Sequence, residues 1–438
     1  TTASNNTAVG YDSLGANTTG TQNVAVGAAS LDANTTASEG TAVGWNALSA
    51  NTTGASNTAV GKAALGANTT GAGNTAVGAN AGDSLTTGFS NVALGRLSLS
   101  AEDTGRKNVA VGFAALEAQN SDVDNFNTAI GFYAGAAVTT GIHNTLIGGL
   151  AGGALTDADY NVAIGYGSLD ADTLGSKSTA IGKSALTNQN FTSATDSFNT
   201  AVGFHSGLAV TTGVSNTLIG GLAGDAITTG ASNVALGSNA SGSITSGSHN
   251  IGIGSAALVD TVALTTGSQN IAIGNFSRTT AVDSTYATVI GYNLAGAAGY
   301  TTLGRDASDI RATHGNVTWA TVSDERYKKD IVDSTAGLSF INALQPRTFK
   351  YKTLGELPET FNAYEADSTE VFKNTQTNHG FIAQEIKAAI DADSSIADGF
   401  RLWDDREDGS QEVAEAALIP VLVKAIQELT ARLETLEG

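Results

Sequence analysis

The sequence predicts an all-β solenoid over residues 1–304, followed by a smaller α+β domain that is mainly helical and ends in an amphipathic helix. Three observations lead to this fold class. The composition changes abruptly after Gly304, a pentapeptide returns every 17 residues before that point, and a heptad pattern of apolar residues ends the chain. A short fixed period is typical of a solenoid, in which each coil becomes stable only on its neighbours.

The composition separates two parts of the 438-residue chain, whose formal net charge is −20. Residues 1–304 hold 46 of the 53 Gly, no Pro, and only 7 basic and 17 acidic residues. Residues 305–438 hold all 3 Pro, with 14 basic and 24 acidic residues. The acidic balance argues against a nucleic-acid-binding protein, because phosphates need basic surface. No apolar run is long enough to insert into a membrane, and no Cys is present for disulfides or thiolate metal sites.

The repeat is Asn-Thr-Ala-Val-Gly or a close variant, and we number its positions one to five. Thirteen of the seventeen intervals between the closing glycines equal 17 residues. The closing glycines are Gly10, Gly27, Gly44, Gly61, Gly78, Gly95, Gly112, Gly131, Gly148, Gly165, Gly182, Gly203, Gly220, Gly237, Gly254, Gly274, Gly291 and Gly304. With strands about 4.8 Å apart, these coils predict a parallel β-roll of roughly 85 Å.

Within the pentapeptide, positions two and four alternate with position three, which is the period of a β-strand. Position four is always Val, Ile or Leu, so we predict that it faces the core together with the β-branched position two. Position three is mostly Ala, which allows close approach on the opposite face. We expect the closing Gly to adopt a backbone conformation that other residues disfavour, and the Asn at position one to stack as a ladder.

A second segment follows the closing Gly. Four residues after that Gly the chain has Leu, as at Leu14, Leu31 and Leu48, or Gly, and we assign this residue to the core of a second strand. The three longer intervals add residues at one place in the coil, within 117–126, 187–198 and 259–269. Insertions that emerge from one corner are typical of a binding face, and tolerated surface slack is the alternative.

The residue after the closing Gly is aromatic in seven coils, and aromatic rows on a rigid scaffold can stack sugar rings. Candidate receptor contacts are therefore Tyr11, Trp45, Phe113, Phe132, Tyr166 and Phe204, with Tyr292 as the seventh. The alternative is that these rings cover coil corners or pack across a subunit interface.

Acidic pairs and histidines in the repeats are weak candidates for metal ligands. A calcium ion needs about six to eight oxygens, so we interpret the acidic pairs as solvated loop charge. The pairs are Asp122/Asp124, Asp157/Asp159 and Asp170/Asp172. His143, His205 and His249 lack a partner at metal-ligand spacing and are interpreted as surface residues. We therefore predict no metal and no cofactor.

The last third of the chain has the pattern of a mixed domain. Residues 345–351 alternate like a strand, and residues 379–386 lead from a strand-like start into a helix. The terminal helix, over 418–436, carries apolar residues spaced by three and four, which is a coiled-coil seam. The seam is Ile419, Leu422, Ile426, Leu429, Leu433 and Leu436. Self-association through this seam is favoured, and a helix buried within one chain is the alternative.

The repeats of residues 1–304 resemble the heads of trimeric autotransporter adhesins, whose Asn/Ser-x-Ala-Ile-Gly units build a left-handed parallel β-roll. Similar rolls occur in phage tail fibres. The resemblance implies that this roll is left-handed and associates as a trimer, and the adhesin period is shorter than the one here.

Residues 323–438 resemble the endosialidase-type C-terminal intramolecular chaperone of phage tail spikes and fibres. The matching motifs, in chain order, are Ser323-Asp324-Glu325-Arg326-x-Lys328, Leu344-x-Pro346, His379-x-Phe381-Ile382-Ala383-Gln384-Glu385, and Leu422–Leu429. The family's module trimerises the fibre upstream and then removes itself by serine autoproteolysis. The resemblance implies Ser323 as the nucleophile, Lys328 as its basic partner, and cleavage of the Val322–Ser323 bond, with residues 305–322 as a junction.

This chemistry is consistent with the residues themselves. A serine hydroxyl needs a neighbouring base at neutral pH, and a lysine whose pKa is lowered by burial can take its proton. A turn between Ser323 and Lys328 would bring the two side chains together. Lys329 is a rival base if the segment is helical from Ser323, and a helix N-cap is the alternative role of Ser323.

These features predict a structural and adhesive protein, the distal part of a phage tail fibre, located on the virion tail. Its expected partners are further copies of the chain and a host cell-surface receptor, either a glycan or an outer-membrane protein. Because Met is absent and Thr stands at position 1, we also expect a preceding region that binds other tail proteins. A bacterial trimeric surface adhesin with the same chaperone is the alternative. A polysaccharide-degrading tailspike would need a carboxylate pair in a groove, which the repeats do not show.

Overall fold

The computed structural model of the protein describes residues 2–259, 264–306, 308–315, 319–321, 323–393, 396 and 400–437. Its packing divides the chain into two compact units, residues 1–322 and 323–438. Eighteen parallel strands stack in the first unit, each one coil further along the chain. The predicted β-solenoid with 17-residue coils is therefore confirmed.

The strands of the stack contain three residues each, except near its C-terminal end. They are β1 (Thr7–Val9), β2 (Val24–Val26), β3 (Thr41–Val43), β4 (Thr58–Val60), β5 (Thr75–Val77), β6 (Val92–Leu94), β7 (Val109–Val111), β8 (Thr128–Ile130), β9 (Thr145–Ile147), β10 (Val162–Ile164), β12 (Thr179–Ile181), β14 (Thr200–Val202), β15 (Thr217–Ile219), β16 (Val234–Leu236), β17 (Ile251–Ile253), β18 (Ile271–Ile273), β20 (Thr288–Tyr292) and β22 (Tyr300–Arg305). Two short parallel pairs lie beside the stack, β11 (Gly175–Ser176) with β13 (Thr195–Asp196) and β19 (Arg278–Thr279) with β21 (Ala295–Gly296).

Equal positions of the repeat pair across the whole stack. Thr128 pairs with Thr145 and Ile130 with Ile147. The longest interval does not shift this register, because Thr179 still pairs with Thr200. The extra residues of a lengthened coil therefore leave the strand alignment unchanged.

The structure reverses the predicted faces of the strands. Position three is inside, and Ala129 and Ala163 are fully buried. Positions two and four face outward, and among the position-four residues Val77, Leu94 and Ile130 are 37–40% exposed. The prediction that position four forms the core is therefore wrong. The roll is narrow, so in most coils its inner strand face has room only for a methyl group, and a larger residue such as Leu146 or Val289 is inside in a few coils.

In most coils the segment after the closing Gly forms turns, and after Gly274 and Gly291 it includes the short strands β19 and β21. Ala114 and Leu116 have left-handed backbones, with φ of 53° and 50°. The N–H of Leu116 donates to the carbonyl of Ala134 at 3.0 Å, so hydrogen bonds still connect successive coils. The Leu116 side chain is fully buried. Its assignment to the core is confirmed, and its assignment to a second strand is wrong.

Most coils contribute one large apolar side chain to the core, either from the fourth or from the seventh residue after the closing Gly. Where Leu stands four residues after the closing Gly, a polar residue stands three further on, as with Leu116 and Gln119. Where Gly stands there, the later residue is apolar, as with Gly135 and Val138. The glycines also make room for a large residue at position three, since a Cβ on Gly152 would lie 2.8 Å from Cδ2 of Leu146.

Asparagine and glycine columns hold the coils together, where a column is the set of residues at one position of successive coils. Oδ1 of Asn127 accepts the N–H of Asn144 at 2.8 Å, and its Nδ2 donates to the carbonyl of Gly141 at 2.7 Å. The predicted ladder is thus confirmed, largely through backbone partners. The closing Gly131 has a φ of 146°, and a Cβ there would lie 2.4 Å from the carbonyl oxygen of Gly148. A side chain is therefore excluded at this position.

Antiparallel strands end the sheet within the stretch expected to be a junction. β23 (Ser308–Thr313) runs antiparallel to β22, and β24 (Ala320–Thr321) runs antiparallel to β23. The described part of residues 305–322 therefore continues the sheet of the roll.

The second unit is an α+β domain, as predicted. Its helices are α1 (Leu338–Ala343), α2 (Ala383–Ala392) and α3 (Leu418–Glu437). Its antiparallel strand pairs are β25 (Arg347–Phe349) with β26 (Asn378–Gly380), and β27 (Trp403–Asp405) with β28 (Gln411–Val413). Single 3₁₀ turns lie at Glu325–Tyr327, Leu354–Glu356 and Glu415–Ala417. The core includes Phe340, Ile386, Ile390, Leu402, Leu418 and Val421. Of the helices in the described ranges, none is long and apolar enough to span a membrane.

Candidate functional site

Ser323 and Lys328 lie side by side at the start of the second unit. Nζ of Lys328 donates to Oγ of Ser323 at 2.8 Å. The 3₁₀ turn Glu325–Tyr327 folds the chain between them, and the N–H of Lys328 donates to the carbonyl of Glu325 at 2.9 Å. Both side chains are exposed in the single chain. The turn expected between the two residues is therefore present.

Asp324 occupies the cap position that was the alternative role for Ser323. Oδ1 of Asp324 accepts the N–H of Arg326 at 2.9 Å and is the N-cap of the turn. The Arg326 guanidinium also donates to both carboxylate oxygens and holds the pKa of Asp324 below its usual range. The N-cap assignment for Ser323 is therefore wrong, and the Ser323 hydroxyl is left to Lys328.

Lys329 could act as the rival base only if a helix began at Ser323, and the segment is not helical there. The backbone of Lys328 is extended, with φ of −116° and ψ of 150°, directly after the single turn. The predicted scissile bond joins Val322 to Ser323, and Val322 lies outside the described residues. The boundary between the two compact units falls at this same bond.

The remaining motif residues form a small structural cluster. His379 is in β26, opposite Thr348 of β25, and Phe381 packs against the core of the unit. Gln384 and Glu385 are in the first turn of α2. These residues lie in one strand–helix element, as the pattern predicted, and no hydrogen bond to Ser323 or Lys328 is seen for them within the described residues.

Arg347 forms an ion pair with Glu385 that the sequence did not single out. Its Nε and Nη2 donate to the two oxygens of Glu385 at 3.0 Å and 2.7 Å. The guanidinium holds the pKa of the Glu385 carboxyl below its usual range. The pair connects the motif after Pro346 to the motif after His379. The only signal in the sequence was opposite charge, since 38 residues separate the two side chains.

Helix α3 has two apolar faces. One packs inside the unit, where Leu418, Val421 and Ala425 are buried. The other is the predicted seam, whose six residues are between 43% and 83% exposed. The alternative of a seam buried within one chain is therefore wrong. Isolated exposed apolar residues are ordinary, but a continuous stripe along a helix marks an interaction surface.

The outward side of the roll is a second uncovered apolar surface. Position four carries Val, Ile or Leu in every one of the eighteen strands, and position two is β-branched in nearly all of them. None of the position-four residues is buried within the chain. The apolar surface therefore extends along the whole stack.

The predicted receptor contacts are mostly exposed and lie in an interrupted column. Tyr11, Trp45, Phe132, Tyr166 and Phe204 are at least half exposed, and Phe113 is half-buried. Phe113 stacks on Phe132 with ring centroids 5.5 Å apart. Cations in the same column contact the rings, with Lys62 beside Trp45 and Lys183 beside Phe204. Their role in binding stays a prediction.

Two buried carboxylates anchor two of the inserted segments, and sequence reasoning missed this role. Oε1 of Glu102 accepts the N–H groups of Gly105 and Ser121, and its Oε2 accepts Nδ2 of Asn125. Burial raises the pKa of Glu102. The sequence did contain a sign of this role, because Glu102 stands at a repeat position where most neighbouring coils have Asn or an apolar residue.

Asp172 repeats this arrangement before the second insertion. Its Oδ1 accepts the N–H of Phe191 at 3.0 Å, and its Oδ2 accepts Nε2 of Gln189 at 2.6 Å. Asp172 was predicted to be a solvated loop charge, and that interpretation is wrong because it is fully buried. Two further acids of these pairs bind protein groups, since Asp124 pairs with Lys107 and Asp159 accepts the N–H of Ile142. In the described ranges, no group of three His, Asp or Glu side chains could hold a metal ion.

The fold and the site together define a β-solenoid followed by a small α+β unit with a serine–lysine pair at its first residue. Residues 323–393 match the family described as chaperone of endosialidase, Peptidase S74. The chain therefore carries an intramolecular chaperone domain of this kind, which suggests a trimeric fibre or a tailspike-like protein. Neither a curated protein nor a solved structure gives a significant match to the chain.

Proposed function

We propose that this protein is a phage tail fibre whose C-terminal unit associates three copies and then cuts itself off between Val322 and Ser323. The observation that carries the proposal is the contact between Lys328 Nζ and Ser323 Oγ, at the first residue of the matched chaperone domain. In this proposal the chain lies on the virion tail, and the roll binds a host cell-surface receptor.

The cleavage follows from the position of Ser323 directly after the scissile bond. Its Oγ attacks the carbonyl carbon of residue 322, and the acyl group moves from nitrogen to oxygen. Lys328, in its neutral form, accepts the hydroxyl proton and passes it to the departing nitrogen of Ser323. Water then hydrolyses the ester, which leaves a carboxylate on residue 322 and restores the Ser323 hydroxyl.

The exposure of the pair in one chain supports cleavage after assembly. A neutral amine is favoured when the group is removed from water. Association that covers Ser323 and Lys328 would therefore activate the base. Cleavage after association leaves the assembled roll without the unit that aligned it, and the roll is then kinetically trapped.

Two uncovered apolar surfaces support association. The seam of α3 and the outward positions of the roll belong to different units, and both need a partner to leave water. Because the outer face runs the length of the stack, its partner must also be long and regular, as a second copy of the same roll is. The number three is what the resemblance implies. Receptor contacts are proposed at the interrupted aromatic column defined by Tyr11, Trp45, Phe113, Phe132, Tyr166 and Phe204.

A denaturing gel of the expressed full chain tests the cleavage. The 43.9 kDa chain should separate into residues 1–322 and 323–438, and Ser323→Ala should leave it intact. Lys328→Met should slow cleavage by about 100-fold, which is typical for loss of a general base. Ser334→Ala and Lys329→Met are the matched controls and should cleave like the wild type.

Light scattering on the Ser323→Ala chain tests the assembly, and a mass of three chains is expected. A monomer, or cleavage of the Ser323→Ala chain at the same bond, would contradict the proposal.

A further inference from the structure

We propose that the roll binds an extended, neutral glycan along a strip of side chains that crosses six consecutive coils. The aromatic strip consists of Lys107, Phe126, His143, Tyr160, Lys177 and Phe198, the residue before position one in each coil. The inference rests on the adhesive function proposed above, and it adds the chemistry of the receptor and a second contact surface for it. The strip is separate from the interrupted column that the sequence predicted.

The side chains of the strip contact one another in two runs, from Lys107 to Tyr160 and from Lys177 to Phe198. Nζ of Lys107 lies 4.7 Å from the ring centroid of Phe126. The rings of Phe126 and His143 stack at 5.3 Å, and those of His143 and Tyr160 at 5.0 Å. Nζ of Lys177 lies 5.3 Å from the ring centroid of Phe198. The three aromatic residues remain 48–56% exposed, so their outer edges form an apolar line on the surface.

The backbone at this position is left-handed, a conformation that bulky residues such as aromatics disfavour. The φ of Phe126 is 52°, that of Tyr160 is 59°, and that of Phe198 is 50°. A bulky residue in the left-handed region costs roughly 1–2 kcal/mol. Ser56 and Ser232 stand in the same column with the same backbone, so the coil does not need an aromatic side chain there. The fold therefore imposes the left-handed backbone but not the aromatic side chains, and unforced bulky residues in this conformation point to a binding role.

The strip is confined to one part of the roll, which distinguishes it from a subunit interface. Position four is apolar and position two is β-branched over the full length of the stack, as a self-association surface requires. The column of the strip is instead polar on both sides of the six coils. Before the strip it holds Gln22, Glu39, Ser56, Gly73 and Ser90, and after it Ser215, Ser232, His249 and Gln269, with Tyr286 as an isolated aromatic. This column is therefore compatible with solvent when the outer face is covered.

Two fixed loops flank the strip. The insertions of residues 117–126 and 187–198 end at Phe126 and Phe198. Each is held by a fully buried carboxylate of the preceding coil, Glu102 or Asp172. A buried carboxylate is costly, and loose surface loops do not need one. The alternative of tolerated slack therefore does not account for these loops. Their exposed side chains, including Asp122, Thr192 and Ser193, offer hydrogen bonds beside an apolar line.

The dimensions and charge of the strip favour a neutral glycan. Six coils span about 24 Å, and the strip is only one side chain wide. Its area is therefore far smaller than the roughly 800 Å² that each partner buries in a stable protein interface. Its cations are paired, Lys107 with Asp124 at 2.6 Å and Lys177 with Asp196 at 2.5 Å. The chain as a whole carries a charge of −20, which repels anionic polymers. An oligosaccharide places apolar C–H faces on aromatic side chains and its hydroxyls on polar loops.

Binding of defined hexasaccharides to the assembled full chain tests the inference by calorimetry. The probes are cellohexaose, maltohexaose, chitohexaose and mannohexaose, with a heparin hexasaccharide as the charged comparison. At least one neutral probe should bind with a Kd below about 1 mM, and the heparin probe should not. The variant Phe126→Ser/Tyr160→Ser/Phe198→Ser should weaken that binding at least about tenfold, because it removes the apolar line.

The control variant is Phe276→Ser/Tyr286→Ser, which removes two equally exposed aromatics with left-handed backbones outside the strip. It should bind as the wild type does. Both variants should remain assembled, because serine already stands at the corresponding positions of other coils, as at Ser56 and Ser184. Absence of binding to all four neutral probes, preference for heparin, or equal loss in the control would overturn the inference. If the chain still assembles and cleaves in that case, the glycan strip fails while the proposed fibre and chaperone stand.

Discussion

The roll and the C-terminal unit bury apolar side chains in opposite ways. In the roll, most coils supply one large side chain and a small position-three residue, and neighbouring coils are similar to one another. In the C-terminal unit, the core joins residues far apart in the chain, such as Phe340, Ile390 and Val421. Because the coils are similar, two rolls shifted by one coil make nearly the same contacts as two rolls in the correct alignment. Repetition therefore makes the roll regular but does not fix its alignment with another roll. The second unit has one arrangement and can fix that alignment.

The largest expected effect comes from removing residues 323–438. Residues 1–322 expressed alone should not give soluble assembled rolls, because the outer face of the sheet is apolar and nothing sets its register. Light scattering and circular dichroism check this against the full chain. Equal yields of the same oligomer from both chains would show that the roll aligns itself. The second unit would then not be needed to fix the alignment.

The two faces of α3 allow a comparison within a single helix. Ile426→Asp alters the exposed seam and should abolish association while the unit stays folded. Val421→Ala alters the buried face and should lower the free energy of unfolding by about 1–3 kcal/mol without changing the oligomeric state. Sedimentation and chemical denaturation measure the two effects. Association that survives Ile426→Asp would show that the seam is not an interface.

A core substitution in the roll should have a moderate and local effect. Leu146→Ala leaves a cavity between Gly135 and Gly152, neither of which has a side chain to fill it. The free energy of unfolding should fall by about 2–5 kcal/mol in denaturant titrations. Thr145→Val, on the outer face where Val162 stands one coil on, is the matched control and should change it by less than about 0.5 kcal/mol. A smaller effect from Leu146→Ala than from the control would contradict the observed faces.

The smallest expected effect is a pH dependence carried by Glu102. Burial raises its pKa, so the folded state takes up a proton more readily than the unfolded state. The stability from this group is present below its unfolded pKa, near 4.3, and is lost as pH rises through the folded value. Relative to Glu102→Gln, the wild type should therefore lose melting temperature between acidic and neutral pH. Parallel curves would contradict this, and Glu102→Ala should be less stable at every pH because three N–H groups lose their acceptor.

The serine–lysine pair shows how far motif reasoning reaches. The motif placed Ser323 and Lys328 five residues apart, and a turn was enough to expect contact. The role of Asp324 as the cap was not predicted, although it decides that the Ser323 hydroxyl is free for Lys328. Nor could the contact of Arg347 with Glu385 be read from the chain, since it depends on the pairing of β25 with β26, the strand that leads into α2.

The sequence by itself determined the period, the closing glycines, the asparagine ladder and the heptad seam, because each is a local pattern repeated at fixed spacing. The tertiary structure decided which face of each strand is inside. Alternation predicts two faces but does not say which face is inside, and in most coils the narrow roll has room inside only for Ala. It also decided that Leu146 fits beside Gly152, that Glu102 and Asp172 are buried, and that the aromatic strip lines up across coils. These features depend on residues brought together from different coils, which no single repeat contains.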